Sequence, residues 1–307
     1  MKPIRVLVLG ASVLAAVTLA VPALATPPGF AFLEVPAGAR AAALGGAYAS
    51  VAIGAEAAFW NPAGLAEFEG TQFAGTHAET YQHLRHDQVA VAGRLFGGGT
   101  AASLRAMYSE PIPERDDFGN LVGSFGAHDL EFLLGYGHKL AGGMSLGFTA
   151  QAVRERVADL AAGTWAIGAG LAWDPKVVPG SRASLSVHNV GPATHFTLEG
   201  NQGDRVKLPA AVQGGVSFRH AMFSDMKGLL ALEARATQGR NVVMAVGAEL
   251  DAPLGAAIRF GYRANDDITG WSAGAGWRTR SLTVDYAFVP SKLDLEDTHR
   301  FSLSAGF

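Results

Sequence analysis

The stretch GTWAIGAGLAWD, Gly163 to Asp174, puts Trp165, Ile167, Ala169, Leu171 and Trp173 at every second position, with small residues between them. A two-residue period is that of a strand with one apolar face. The tryptophans stand eight residues apart, about 27 Å along an extended strand, close to the roughly 25 Å apolar band of a transmembrane barrel once tilt is allowed for. Rings at both ends of an apolar stretch are what two membrane interfaces select. The competing possibility is a soluble sandwich whose core such rings would fill.

Alternation of this kind recurs in fourteen segments from Thr71 to the last residue, beginning with TQFAGTHAE and DQVAVAGRLF and ending with SLTVDYAFVP and HRFSLSAGF. In HDLEFLLGYGHKL, Leu130, Phe132, Leu134 and Tyr136 oppose Glu131, Gly135 and Lys139; in AAIRFGYRA, Ile258, Phe260 and Tyr262 oppose Arg259, Gly261 and Arg263. Trp271 and Trp277 bracket a further segment. Connections after odd-numbered segments include the long ones, EPIPERDDFGNLVGSFGA and GPATHFTLEGNQGDRVK, whereas GGG, AGG and DAPLG follow even-numbered ones. An even strand count with short turns on one side and long loops on the other is the pattern of an outer-membrane barrel, and a sandwich has no reason to follow it. The expectation is an all-β, 14-stranded antiparallel transmembrane β-barrel over residues 71–307. Its last strand pairs with the first and with its neighbour, and outer-membrane lipid covers Phe301, Leu303, Ala305 and Phe307.

Composition agrees. Nearly half the chain is apolar and 17% is charged, while 39 glycines are close to twice the average share and favour tight hairpins and small side chains on one sheet face. A formal charge of −3 carries no nucleic-acid signal, and the absence of cysteine excludes disulfides, thiolate metal sites and a cysteine lipid anchor. Residues 1–25 have Lys2 and Arg5, an apolar run from Val6 to Val21 and then Ala23-Leu24-Ala25. That is the layout of a cleaved secretory signal, with an uncleaved anchor helix as the alternative.

Motifs that resemble chemistry have simpler explanations. GWSAG, Gly270 to Gly274, matches the nucleophile-elbow pattern but continues a strand instead of turning into a helix. His77, His83 and His86 lie near Glu79 at irregular spacing across an expected external loop, so a solvated loop is favoured over zinc. The acidic turns at 114–117 and 265–267 are wet turns before they are calcium sites. No phosphate-cradling loop or dinucleotide fingerprint occurs. A non-enzymatic protein without cofactor or metal is expected.

Residues 26–70 precede the first strand, are rich in alanine and glycine, and contain Asn61-Pro62, a helix-start signal. GARAAALGGAY (38–48) and WNPAGLA (60–66), together with HNVGP, LPAAVQGGVSFR, IRFGYRANDD, TVDYAF and HRFSLSAGF, resemble the PorV/PorQ family of outer-membrane proteins, relatives of the FadL-type fatty-acid transporters. The resemblance covers nearly the whole mature chain. It implies an N-terminal helical plug, or hatch, folded into the lumen and carried by Gly38, Arg40, Gly45, Gly46, Asn61, Pro62 and Gly64. It also implies location in the bacterial outer membrane and a role in protein secretion or surface attachment of a secreted cargo. The alternative is FadL-like passive transport of a hydrophobic or amphipathic ligand, and a periplasmic β-sandwich is the second alternative. The chain departs from the family at VAIGAEAAFW, where an acidic pair usually precedes the aromatic and only Glu56 stands here. A terminal aromatic on an alternating last strand is similar to the signal that barrel assembly machinery reads, which assigns that role to Phe307.

Sorting strand residues by face directs Arg94, Arg105, Lys139, Arg219, Arg235, Arg259, Arg263 and Arg278 inward against Glu131, Glu233, Glu249 and Asp285. The segment before the strands carries Glu34, Glu56, Glu67 and Glu69 against Arg40. An acidic plug held in a basic lumen is therefore expected.

Overall fold

The computed structural model describes residues 28–80, 84–198, 201–222, 225–293 and 295–307; the expected signal segment and His83 lie outside them. Among the described residues eighteen strands are present: β1 (Gln72–Thr80), β2 (Leu84–Leu95), β3 (Gly98–Tyr108), β4 (Ile112–Arg115), β5 (Leu121–Phe125), β6 (Ala127–Lys139), β7 (Met144–Val157), β8 (Leu160–Trp173), β9 (Ser181–Val190), β10 (Thr194–Leu198), β11 (Asn201–Val206), β12 (Ala211–Ala221), β13 (Lys227–Thr237), β14 (Val243–Asp251), β15 (Ala256–Ala264), β16 (Trp271–Arg278), β17 (Leu282–Val289) and β18 (Thr298–Gly306). Fourteen of them, all but β4, β5, β10 and β11, form a closed antiparallel barrel, and they are the fourteen alternating segments.

Closure follows from the last strand. β18 pairs with β17 on one side and with β1 on the other, from Gln72↔Gly306 to Glu79↔His299. Below that ladder the Phe307 and Thr71 amides donate to each other's carbonyls at 2.9 and 3.0 Å. Every backbone group along this seam finds a partner, as a hydrocarbon surround requires. Alternation sets the faces: Leu134, Ile258, Phe260, Phe301 and Leu303 point out to lipid, while Glu131, Arg259 and Ser302 on the same strands are buried inside.

Two features depart from the simple meander. The long external connections are not plain loops: β4 and β5 form a separate hairpin, and β10 and β11 form another whose Thr197 pairs with Ala161 of β8. β9 stops at Val190, before Gly191-Pro192, and its ladder with β8 is bulged between Ile167 and Ala169, so β10 takes up the free upper edge of β8.

Candidate functional site

Residues 28–70 lie inside the barrel. They form 3-10 turns at Ala31–Glu34, Gly54–Glu56 and Pro62–Glu67 and helical turns at Ala39–Ala43 and Ala57–Trp60. Alanine and glycine dominate because the segment must pass close to a wall on all sides, and its Ala39, Ala41, Ala43, Leu44, Ala47 and Leu65 are fully buried. Asn61 starts the last turn: its Oδ1 accepts from the Ala63 amide and its Nδ2 donates to the Leu171 carbonyl of β8, both at 3.1 Å. Pro62 follows at the first position, where its missing N–H costs nothing.

The glycine excess has a specific place here. Gly99, Gly137, Gly147 and Gly170 are direct cross-strand partners on β3, β6, β7 and β8, making an inner-face row four strands wide. Asn61–Ala66 lies against it: a Cβ on Gly137 would stand 2.7 Å from the Ala66 nitrogen, and one on Gly147 or Gly170 would strike Pro62 or Asn61. A second pair, Gly247 and Gly261 on β14 and β15, receives Leu44 and Gly45 in the same way. Gly45 itself has φ +65°, and a side chain there would meet the Tyr262 amide at 2.8 Å, so both its backbone conformation and its clearance call for glycine. Gly64 leaves room for the Ala52 carbonyl and Gly38 for the Glu56 carboxyl. Gly147→Leu is expected to destabilise the protein by about 1–3 kcal/mol by overpacking and to raise protease cleavage near Asn61. The same change at Gly163, which faces out and has no neighbour nearer than 3.5 Å, should do neither. Thermal unfolding and limited proteolysis of both variants check this.

Charges hold the segment differently from the expectation. Arg40 donates from Nε and Nη2 to Glu249 at 2.8 and 2.6 Å; Arg259 donates to the same carboxylate at 2.5 Å and to Asp285 at 2.7 Å. The strongest buried link thus joins the segment's lone cation to anions of the wall. Wall arginines mostly serve the segment's backbone: Arg105 donates to Glu131 at 2.7 Å and to the Val35 carbonyl at 3.2 Å, Arg263 to the Gly45 carbonyl at 2.6 Å, and Arg300 to the Pro36 carbonyl. Short turns leave carbonyls without helical partners, and a guanidinium with five donors satisfies them. The Tyr48 and Ala49 amides donate to Glu233 at 2.8 and 2.7 Å.

Neither Glu34 nor Glu56 pairs with an inward-facing arginine of a barrel strand. Glu34 meets Arg240, in an external loop, at 3.3 Å. Glu56 accepts from the Tyr48 hydroxyl at 3.0 Å, and no ion pair reaches it among the described residues. Burial, and after it the Asp285 charge, pushes its carboxyl up to about 7. Glu67 and Glu69 do meet cations, Lys139, Arg182 and Arg94, at 3.5 to 3.8 Å, but at the partly wet periplasmic rim. Arg300 and His86 escaped the sorting of inward residues; Arg300 shares its parity with Ser302 and Ser304, so the alternation contained that signal.

Above the segment, toward the external loops, lies a cavity of about 400 Å³ lined among others by Val35, Trp60, Met107, Arg235, Arg263 and Arg300. Its volume and mixed lining are those of a small-molecule site. Other candidate motifs are spread apart. His77 points outward and bonds Asp87 at 2.6 Å, whereas His86 is buried in the lumen. Ser272 sits in β16 and donates to the Ala43 carbonyl. Asp116 and Asp266 accept from the amides of their own turns.

Neither a family model nor a curated protein matches the chain. Solved structures do. The CymD monoaromatic hydrocarbon channel is 15% identical over 89% of this chain and 98% of its own, with a TM-score of 0.59. The Pseudomonas putida toluene transporter TodX is 12% identical over 88% and 96%, at 0.57. A Pseudomonas aeruginosa FadL homologue is 14% identical over 89% and 98%, at 0.51. At these identities the likeness is one of fold: the chain shares the 14-stranded barrel of these proteins, a fold of the bacterial outer membrane.

Proposed function

We propose that this protein is a passive outer-membrane channel for hydrophobic or amphipathic small molecules. The observation that carries this is the cavity between the external loops and the inner segment, which is large enough for a compact ligand and ends on Trp60 and Val35. Proteins sharing the fold include a monoaromatic hydrocarbon channel and a toluene transporter, which favours passage over the secretion or surface attachment that the PorV/PorQ resemblance implies. Conduction requires no reacting groups. It requires a segment that can shift, and residues 28–70, continuous with the wall at Thr71, are held elsewhere by separable polar links and packing without strand pairing.

Native mass spectrometry after purification in mild detergent tests the proposal, paired with uptake of toluene by vesicles containing the protein. A bound apolar small molecule and protein-dependent uptake, both lost when Met107→Trp fills the cavity, are expected. A stoichiometric secreted protein partner with no small-molecule uptake would reverse the choice in favour of secretion.

A further inference from the structure

We propose that the periplasmic rim of the barrel is a lipid-docking surface, with its turns seated in the headgroup–acyl boundary of the inner leaflet instead of standing in the periplasm. Two turns carry bulky apolar residues in an unfavourable backbone conformation. Phe96 (φ 53°) joins β2 to β3, Leu254 (φ 64°) joins β14 to β15, and they are 89% and 94% exposed. The left-handed region favours glycine and asparagine, and asparagine-glycine is the usual solution for such hairpins. Phe-Gly and Leu-Gly therefore sacrifice turn preference for apolar exposure.

Exposed apolar residues surround the rim. Leu140, Val177, Met222 and Phe307 occupy further turns and the terminus, so six of the seven periplasmic positions carry one; the β16–β17 turn carries Arg280 instead. A protein partner would need one patch, whereas a ring fits a partner that is the same in every direction. The ring is also continuous with the lipid-facing band: the Tyr136 hydroxyl on β6 donates to the Phe96 carbonyl at 3.1 Å, and the outward Trp277 Nε1 donates to the Leu254 carbonyl at 3.2 Å. Tyrosine and tryptophan place their polar tips at membrane interfaces, and here those tips end on the turns themselves.

Length points the same way. On β2 the outward face is apolar only from Val89 to Leu95, because Asp87 above it is bonded to His77. Those six steps span about 20 Å along the strand and about 15 Å along the membrane normal at a roughly 40° tilt, short of the roughly 25 Å band. On β15 the apolar outward face runs from Ala256 to Ala264, eight steps or about 20 Å along the normal at the same tilt, again short of the band. At both strands the apolar turn residue extends the band that the strand leaves short.

The native chain has no cysteine, so Phe96→Cys and Leu254→Cys each accept a single fluorophore. In phospholipid vesicles both labels should be quenched by a nitroxide near the top of the acyl chain and protected from aqueous iodide. Phe96→Asn combined with Leu254→Asn keeps turns that suit the left-handed conformation. It should unfold at an unchanged or higher temperature in detergent while losing at least tenfold in its folded-to-unfolded ratio in vesicles. Iodide quenching as strong as that of a free label, undiminished stability of the double variant in vesicles, or a stoichiometric periplasmic protein retained by the parent and lost by the variant would each overturn the proposal.

Discussion

Replacing Glu249 by alanine destabilises the folded barrel by about 3–5 kcal/mol, the range for removing one partner of a buried ion pair, and releases the inner segment. The carboxylate is fully buried and shared between Arg40 of the segment and Arg259 of the wall, and Arg259 also reaches Asp285. Truncation strands two guanidiniums in the lumen with one remaining acid between them. The effect should appear in urea unfolding, in raised single-channel conductance and in protease cleavage near Asn61. High salt should not reproduce it, because a carboxylate without solvent access is weakly screened; salt should instead loosen the rim contacts of Glu67 and Glu69, which are partly wet. Unfolding and cleavage unchanged from the parent would mean that apolar packing of Phe32, Leu44 and Trp60 holds the segment without help from charge.

Arginine at Leu134 or Ile258 is expected to cost about 2–4 kcal/mol in a bilayer, as it does at the midplane of other barrels. Both side chains point outward, 49% and 64% exposed; Leu134 is near mid-strand, and Ile258, two residues into β15, should show the lower end of the range. The same substitution in detergent should cost less, since a micelle deforms around the charge. At Gly261, one pleat away from Phe260, arginine meets no lipid: it collides with Gly45 and should expel the segment while leaving the wall inserted. Equal behaviour at Ile258 and Gly261 would refute the register, because a one-residue slip exchanges every side chain between faces.

All fourteen barrel strands were legible because strand period and turn chemistry are local properties, written within about ten residues. The hairpins β4–β5 and β10–β11 were not. IPER and LVGSF are wet on both faces, so neither shows the alternation that burial imposes. The inward arginines were legible by parity, but their partners were not. Arg263 bonds a carbonyl 218 residues away, and Arg300 bonds one 264 residues away, in a segment with no regular period.

The sequence by itself determined which residues become strands, which face of each meets lipid, and that the chain closes into an even-numbered barrel, because each follows from alternation and connection length. Only the tertiary structure decided what the glycines are for. Gly99, Gly137, Gly147 and Gly170 are separated by 10 to 38 positions in the chain, yet the register aligns them into one row that admits the backbone of Asn61–Ala66. Tertiary structure also decided that the segment's one arginine, not its four glutamates, makes the buried link to the wall. Composition counts charges, but which of them meet depends on the strand register that carries Glu249 beside Arg259 and leaves Glu56 facing Tyr48.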